Sequence, residues 1–242
     1  MTDRAADANL QVRGLFDAKA AGWPSKYVPG GRLTGRLTRL AAAVAYRAPA
    51  GGSVLDLGCG TGELVIALAA SGMQATGCDI SPEMLRIAAD EPSANVVDWV
   101  ELEPDWQVLP FRASVFDAVV ASSVLEYVDD PVTTLRECHR VLRPGGTALC
   151  TVPDPRHPIR WLEWLIDVLA RQPALRAAGS HWPRLDSYLA YLRVSRQRHS
   201  ARWWHAAASR AGLPCIPCSS DSAGRSSLRL LTFQRPGEKG RQ

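Results

Sequence analysis

The chain has 242 residues, 46% of them apolar and 21% charged, with a formal net charge of +4. This composition excludes disordered and fibrous proteins and leaves room for one well-buried α/β domain with additions. No apolar run approaches the ~20 residues that span a bilayer, and the N-terminal stretch lacks the apolar segment of a signal peptide. A cytoplasmic protein without an integral membrane segment is expected.

Four cysteines, Cys59, Cys78, Cys138 and Cys150, are scattered among expected strand ends and helices, where a free thiol behaves as a small apolar residue. Cys215 and Cys218 form a single C-x-x-C with no second pair to complete a zinc site, so they read as inert and no metal is expected. Charge is unevenly placed. From Arg156 to Arg210 ten arginines face Glu163, Asp167 and Asp186, an excess of +7, which leaves −3 for the rest of the chain.

In chain order, a helical arm is expected over residues 3–21, then a loop with Pro24, Pro29 and a glycine pair, then a helix over about 33–48. From 53 to 153 short β-rich runs alternate with helical runs, the pattern of a parallel sheet with crossover helices. Strands are predicted at 53–57, 74–79, 95–102, 115–121 and 147–152, and helices at 63–71, 82–89 and 131–142. Ser81 and Asp130 stand as N-caps before Pro82 and Pro131, which suit a first helical turn. Arg143-Pro-Gly-Gly ends the last of these helices. After Pro153-Asp-Pro155 come a Trp-rich helical stretch over 159–193, a helix over 201–211 and two terminal strands near 214–219 and 226–235.

The strongest local signal is Val54-Leu-Asp-Leu-Gly-Cys-Gly-Thr-Gly-Glu63, an apolar strand that runs into glycines and opens a helix. Glycines there let the backbone approach a ligand, and the helix N-terminus offers unpaired N–H groups. Gly58, Gly60 and Gly62 read G-x-G-x-G, but Glu63 stands where the dinucleotide fingerprint needs glycine or alanine. Strand two ends at Asp79, 17 residues after Gly62, where a carboxylate can accept both hydroxyls of a ribose. Ser81 fills the capping role beside it, which leaves Asp79 for a ligand.

These two segments resemble motifs of class I S-adenosylmethionine-dependent methyltransferases, in the branch that includes ubiquinone-pathway and small-molecule enzymes. The resemblance continues through Asp105-Trp-Gln-Val-Leu-Pro-Phe111, Phe116-Asp-Ala-Val-Val120, Leu125-Glu-Tyr-Val-Asp-Asp-Pro131 and Arg140-Val-Leu-Arg-Pro-Gly-Gly-Thr147, and so covers residues 53 to 153. It implies a Rossmann-like α/β fold with a seven-stranded mixed sheet, helices on both faces and S-adenosyl-L-methionine as cofactor. It also implies roles. Asp56, Gly58 and Gly60 would cradle the methionine end, Asp79 the ribose, and Ile80 with Met84 an adenine face. Asp105 would accept the adenine amino group, the Trp106 N–H would meet a ring nitrogen, and the Ser122 carbonyl would meet the cofactor ammonium. In related enzymes an N-terminal helix crosses the site, and Lys26 and Tyr27 are the local residues for the cofactor carboxylate.

One departure matters. Quinone-pathway O-methyltransferases carry Glu-x-x-Glu-His after strand four, whereas this chain has Ser123-Val-Leu-Glu126-Tyr127. One carboxylate of three ligands remains, too few for a hard metal.

Glu126, Tyr127 and His157 are the candidate catalytic residues, because loops at the carboxyl ends of parallel strands form the crevice. His181, His199 and His205 are weaker candidates. The expected organisation is an N-terminal arm over 1–50, a cofactor-binding domain over 51–155 and 200–242, and a helical cap over 156–199. The apolar stripe of Trp161, Leu162, Trp164, Leu165, Val168 and Leu169 packs on the domain, lids a pocket or rests on a membrane surface. The expected function is methyl transfer to an oxygen or nitrogen of a small molecule. Arg156, Arg160, Arg184 and Arg193 predict an anionic group on that acceptor. The alternatives are a membrane-associated enzyme acting on a prenylated ring or lipid, and a non-catalytic S-adenosylmethionine-binding protein. A nicotinamide oxidoreductase is disfavoured by Glu63 and the Asp105 motif. Nucleic acid is not an expected partner, since no Asn/Asp-Pro-Pro-Tyr motif occurs, and nothing in the sequence marks an oligomeric state.

Overall fold

The computed structural model describes residues 2–31, 33–170, 183–216 and 226–237. His181, Trp182, Cys218 and the side chain of Arg184 lie outside the described residues. Strands β1 (Ser53–Leu57), β2 (Gln74–Asp79), β3 (Asp98–Glu101), β4 (Phe116–Ser122), β5 (Leu142–Pro153) and β6 (Leu228–Gln234) form one sheet in the order β3-β2-β1-β4-β5-β6. The first five are parallel and β6 runs antiparallel beside β5. This is the expected Rossmann-like mixed sheet, but with six strands among the described residues, not seven.

Of the expected strand over 214–219, the described residues 214–216 form a single bridge, between Cys215 and Phe233. Ile216 donates to the Thr232 carbonyl at 3.0 Å and Gln234 donates to the Pro214 carbonyl at 3.0 Å. Pro214 carries no N–H, so it has no donor with which to extend a ladder. Residues 217–219 lie outside the described residues.

Along the parallel strands successive side chains enter opposite apolar layers, because both faces of the sheet are covered. Val54, Ala118, Val120 and Leu149 pack with Leu40 and Val44 of α2 (Thr34–Arg47) and with Leu64 and Leu68 of α3 (Glu63–Ala70). Leu55, Val119 and Ala121 pack with Leu135 and Cys138 of α5 (Pro131–Val141) and with Trp204 and Ala207 of α8 (Ala201–Arg210). A third cluster, with Leu85 of α4 (Pro82–Ala89), closes over β2 through Cys59, Val65, Ala75 and Val97. The thiols of Cys59, Cys78, Cys138 and Cys150 are free and buried, as small apolar residues would be.

Helix ends follow the capping residues. The Ser81 hydroxyl accepts from Met84 N–H at 3.1 Å, and Asp130 accepts from Val132 and Thr133 N–H at 2.9 and 3.2 Å. The N-terminal helix α1 (Thr2–Asp17) is shorter than expected, and two 3₁₀ turns, Ala20–Gly22 and Pro24–Lys26, complete the arm. Strand β5 begins earlier than expected, at Leu142. Its register with β4 jumps from Phe116–Leu142 to Ala118–Thr147, so the Arg143-Pro-Gly-Gly turn is looped out of the ladder. After β5 come α6 (Ile159–Ala170) and α7 (Pro183–Val194). Among the described residues no helix is long and apolar enough to cross a membrane.

One ion pair positions the loop beside the site. The Glu137 carboxylate accepts the Leu109 N–H at 2.8 Å and pairs with Arg140 at 2.6 Å. Arg140 also donates to the carbonyls of Phe111 and Leu109, at 2.7 and 2.9 Å. Bonds to a charged group contribute about 1.5–3 kcal/mol. Arg140→Met should therefore lower unfolding free energy by about that amount and speed hydrogen exchange at the Leu109 amide. Unchanged denaturation and exchange would contradict the clamp.

Candidate functional site

Where the sheet order reverses, between β1 and β4, the chain diverges on both sides and a crevice opens at the carboxyl ends of the strands. The cavity there measures about 1070 Å³, the upper end of the ~300–1,000 Å³ typical of one small ligand. Its wall is drawn from the arm, the strand tips and the helices after β5.

The glycine loop forms one end. Gly58, Gly60 and Gly62 all have positive φ, 70°, 57° and 83°, where side chains with a Cβ are strained. The space is equally restrictive: a Cβ on Gly58 would lie 2.3 Å from Val124 Cγ2, and one on Gly62 would lie 2.5 Å from the Trp99 ring. Glu63, which set this loop apart from a dinucleotide site, accepts the Thr61 hydroxyl at 2.6 Å.

Two buried carboxylates sit at the tips of β1 and β2. Asp56 Oδ1 is buried without a hydrogen-bond partner. Burial, reinforced by Asp79 and Glu63 and opposed by Arg36, pushes its carboxyl up to about 8. The Asp79 oxygens are both engaged, Oδ2 by Gly60 N–H at 2.8 Å and Oδ1 by Ser81 N–H at 2.9 Å. Asp79 is thus less free than its spacing implied, although each carboxylate oxygen retains a second acceptor site. Burial raises its pKa, against those two backbone bonds.

Ile80 and Met84 line the same end, as do Trp23 and Trp106. Two expectations fare differently. Asp105 is exposed and does not line the cavity, because the turn after β3 directs it outward. Trp106 N–H already donates to the Glu103 carbonyl within that turn, at 3.1 Å.

Opposite Asp56, Arg36 donates to the Ser123 hydroxyl at 2.9 Å. Ser123 has φ 58°, an uncommon backbone for a non-glycine residue. It is held there by Thr151, which accepts the Ser123 N–H on its carbonyl at 3.2 Å and on its hydroxyl at 2.9 Å. Ser122 and Tyr27 line the cavity beside this pair. Burial pushes the Tyr27 hydroxyl up, with Arg36 acting in the opposite sense. Lys26 stacks its ammonium 3.1 Å from the Trp23 ring centroid. Arg36 was missed from sequence, where no motif marks it. The signal was helical spacing: Leu40 and Val44 are buried core residues of α2, and Arg36 lies one turn before Leu40 on that face.

An aromatic row leads from the glycine loop to α7. Trp23 Nε1 lies 3.4 Å from where a Gly60 Cβ would be. From there successive ring centroids lie 5.5 Å apart (Trp23–Phe16), 5.2 Å (Phe16–Tyr127), 6.3 Å (Tyr127–Tyr191) and 5.9 Å (Tyr191–Tyr188). Glu126 lies under this row, with its carboxylate accepting from Ser195 Oγ at 2.6 Å and Tyr191 OH at 3.3 Å. Its carbonyl accepts the N–H groups of Arg196 and Gln197. Burial raises the Glu126 carboxyl despite these donors, and burial with Glu126 raises the Tyr127 hydroxyl far above its usual range. His157 does not line the cavity. Its Nδ1 accepts the Ile159 N–H at 3.2 Å, so it tops the first turn of α6.

Of the four arginines expected to hold an anion, Arg156 and Arg193 are exposed and outside the cavity lining. Arg160 lines it but is paired with Glu163 at 2.5 Å and donates to the Ser227 carbonyl. Arg198 and Tyr188 also donate to Glu163, at 2.8 and 3.3 Å. Two guanidiniums thus share one carboxylate, which holds both of them against the cap and leaves Arg160 Nε buried without a partner. His199 is stacked on Trp203, and His205 lies 3.5 Å from the exposed Cys215 thiol. Neither histidine lines the cavity.

Residues 55–150 match a family described as a methyltransferase domain. This is a class I S-adenosylmethionine-dependent methyltransferase domain. The chain is similar to ubiquinone biosynthesis O-methyltransferases. It is 39% identical to that of Xanthomonas campestris pv. campestris over 115 residues, 46% of each chain. It is 33% identical to that of Pseudomonas paraeruginosa over 130 residues, 50% of this chain and 55% of the relative. The match spans about half the length of these curated relatives. In fold, the chain resembles magnesium protoporphyrin IX methyltransferase of Synechocystis, crystallised with bound S-adenosylhomocysteine, at 17% identity and TM-score 0.65 over 93% and 98% of the two chains. It also resembles an S-adenosylmethionine-dependent methyltransferase of Mesorhizobium loti, at 21% identity and TM-score 0.58 over 82% and 100%.

The methyltransferase domain uses S-adenosylmethionine, and the residues present fit that cofactor. A buried, unpartnered Asp56 oxygen suits an ammonium, the Arg36–Ser123 pair suits a carboxylate, and Ile80 with Met84 offers apolar cover. With Asp56 neutral at pH 7 in the free protein, an ammonium ligand should ionise it. Calorimetry of S-adenosylhomocysteine binding in buffers of different ionisation heat should therefore show proton release at pH 7, lost in Asp56→Asn. Equal proton release by the variant would contradict the assignment.

Proposed function

We propose that the chain transfers a methyl group from S-adenosylmethionine to an oxygen or nitrogen of a small-molecule acceptor. The observation that carries this reading is one cavity with two unlike ends, carboxylates and glycines at one, a row of aromatic rings at the other. When bound, the cofactor supplies an electrophilic methyl group on a sulfonium. In this reading Asp56, Gly58, Gly60, Ser122, Tyr27 and Arg36 hold its amino acid end, Asp79 its ribose, and Ile80 and Met84 its adenine. Residues 1–50 act as an arm over the site and 156–199 as a cap, around a body formed by 51–155 and 200–242.

Methyl transfer needs little beyond alignment, which supplies roughly 7–11 kcal/mol. The aromatic row supplies rigid walls for that alignment. Tyr127 stays protonated and serves as a hydrogen-bond donor. Glu126 ties the cap to the body through Ser195 and Tyr191, with its carboxylate committed to protein donors and not to a metal. Turnover of methyl-labelled S-adenosylmethionine with phenol and amine acceptors should persist in excess EDTA. Loss on chelation with recovery in magnesium would contradict this use of Glu126.

A specific observation favours a lipid-borne acceptor as a second reading. One side of α6 supplies Arg160 and Glu163 to the cavity, while Trp161 and Trp164 on the same helix are 76% and 58% exposed, beside exposed Leu162, Leu165 and Leu169. Tryptophans on such a face lie in the boundary between headgroups and chains, and the +7 segment around it suits anionic lipid. Vesicles containing phosphatidylglycerol should sediment the protein, and those of phosphatidylcholine alone should do so weakly. Trp161→Ala with Trp164→Ala should abolish both. No sedimentation of the unmodified protein would remove this reading.

A further inference from the structure

The charged groups at the aromatic end of the cavity mostly meet an opposite charge or a hydrogen-bond partner, with Arg160 Nε the buried exception. Glu126 has Ser195 and Tyr191, and Glu163 has Arg160, Arg198 and Tyr188. Lys19 differs. It stands in the arm just after α1, lines the cavity and is half-buried. Its ammonium lies 5.8 Å from the centroid of the Tyr191 ring, and among the described residues no carboxylate lies within ion-pair distance of it. A ring face within about 6 Å attracts a cation weakly, which does not replace the water lost on burial.

Building on the proposed methyltransferase reading, we infer that Lys19 recognises an anionic group, a carboxylate or an acidic oxygen, carried by an aromatic acceptor whose ring packs along Tyr127, Tyr191 and Tyr188. The geometry supports both halves of that ligand. The tyrosine row offers planar surface, in which offset or edge-on rings gain about 0.5–1.5 kcal/mol each. Lys19 offers an uncompensated positive charge at the edge of that surface, where an N⁺–H···O⁻ bond is about twice as strong as a neutral one. Burial lowers the Lys19 pKa, and an anion beside it would raise it again. An anionic acceptor is thereby retained from the sequence, but its partner moves from the cap arginines to the arm. Lys19 would select the acceptor, and the cofactor end would be independent of it.

The test uses the whole protein saturated with S-adenosylhomocysteine and two matched probe pairs, benzoate with benzamide and phenylacetate with phenylacetamide. Ligand-observed NMR titration gives the affinity of each. The unmodified protein should favour the carboxylate of a pair by about tenfold, equivalent to ~1.4 kcal/mol. Lys19→Met and Lys19→Gln should lose that preference, and Lys19→Arg should keep most of it. The two substitutions to neutral residues guard against one of them failing to fold, and thermal melting reports on that directly. Equal affinity for both members of each pair, or a preference that survives in Lys19→Gln, would overturn the inference. Failure of S-adenosylhomocysteine to bind at all would instead overturn the methyltransferase reading on which it rests.

Discussion

Two carboxylates held out of water at the ends of neighbouring parallel strands dominate the energetics of the cavity. Asp56 and Asp79 are buried at the tips of β1 and β2; burial raises the pKa of both, and the charge of Asp79 adds to the rise at Asp56. A carboxyl raised in the folded state binds protons that the unfolded chain has released. Stability from that group is therefore full below the ordinary carboxylate range and lost as pH rises toward about 8 for Asp56. A fold that keeps such a group gains nothing from it unless a cationic ligand arrives. The glycine loop serves the same end: its positive φ angles turn the chain tightly enough for Asp79 to hold Gly60 N–H.

From that centre outward, each element has a positioning role that follows from its chemistry. Trp99 fills the space beneath Gly62 and Gly77, fixing the loop from behind. The arm brings Trp23 over Gly60 and Phe16 against Tyr127, and α7 brings Tyr191 and Tyr188 to meet them. Glu126 joins the strand tips to α7 and the residues just after it with four bonds, two on its carboxylate and two on its carbonyl. The aromatic end of the cavity is thus built from parts distant in sequence, while the glycine-loop end comes largely from one βαβ segment.

That difference explains how far the sequence was legible. Residues 53–57, 74–79 and 82–89 fold with the expected bounds, because short β-rich runs buried on both faces, a cap residue and an N1 proline all favour the same local structure there. Six strands, not seven, occur among the described residues, where residues 214–216 contribute a single bridge and Pro214 has no N–H for a ladder. Local signals did not reveal which side chains line the cavity. His157 looked like a loop base but closes the first turn of α6, and Asp105 matched its motif yet faces outward. The cap arginines were counted as charge, but only packing reveals that Arg160 and Arg198 converge on Glu163. Lys19 and Arg36 carry no motif. Their significance depends on which neighbours they meet, or lack, from distant parts of the chain.

The central claim, that Asp56 is kept buried and unpartnered to receive the cofactor's amino group, is tested most directly by a crystal structure with S-adenosylhomocysteine. The account predicts the ligand amino nitrogen within hydrogen-bond distance of Asp56 Oδ1, about 2.7–3.2 Å, with its carboxylate toward Arg36 and Ser123. A complex in which the ligand is bound elsewhere, or is bound in the cavity while Oδ1 stays without a partner, would contradict it.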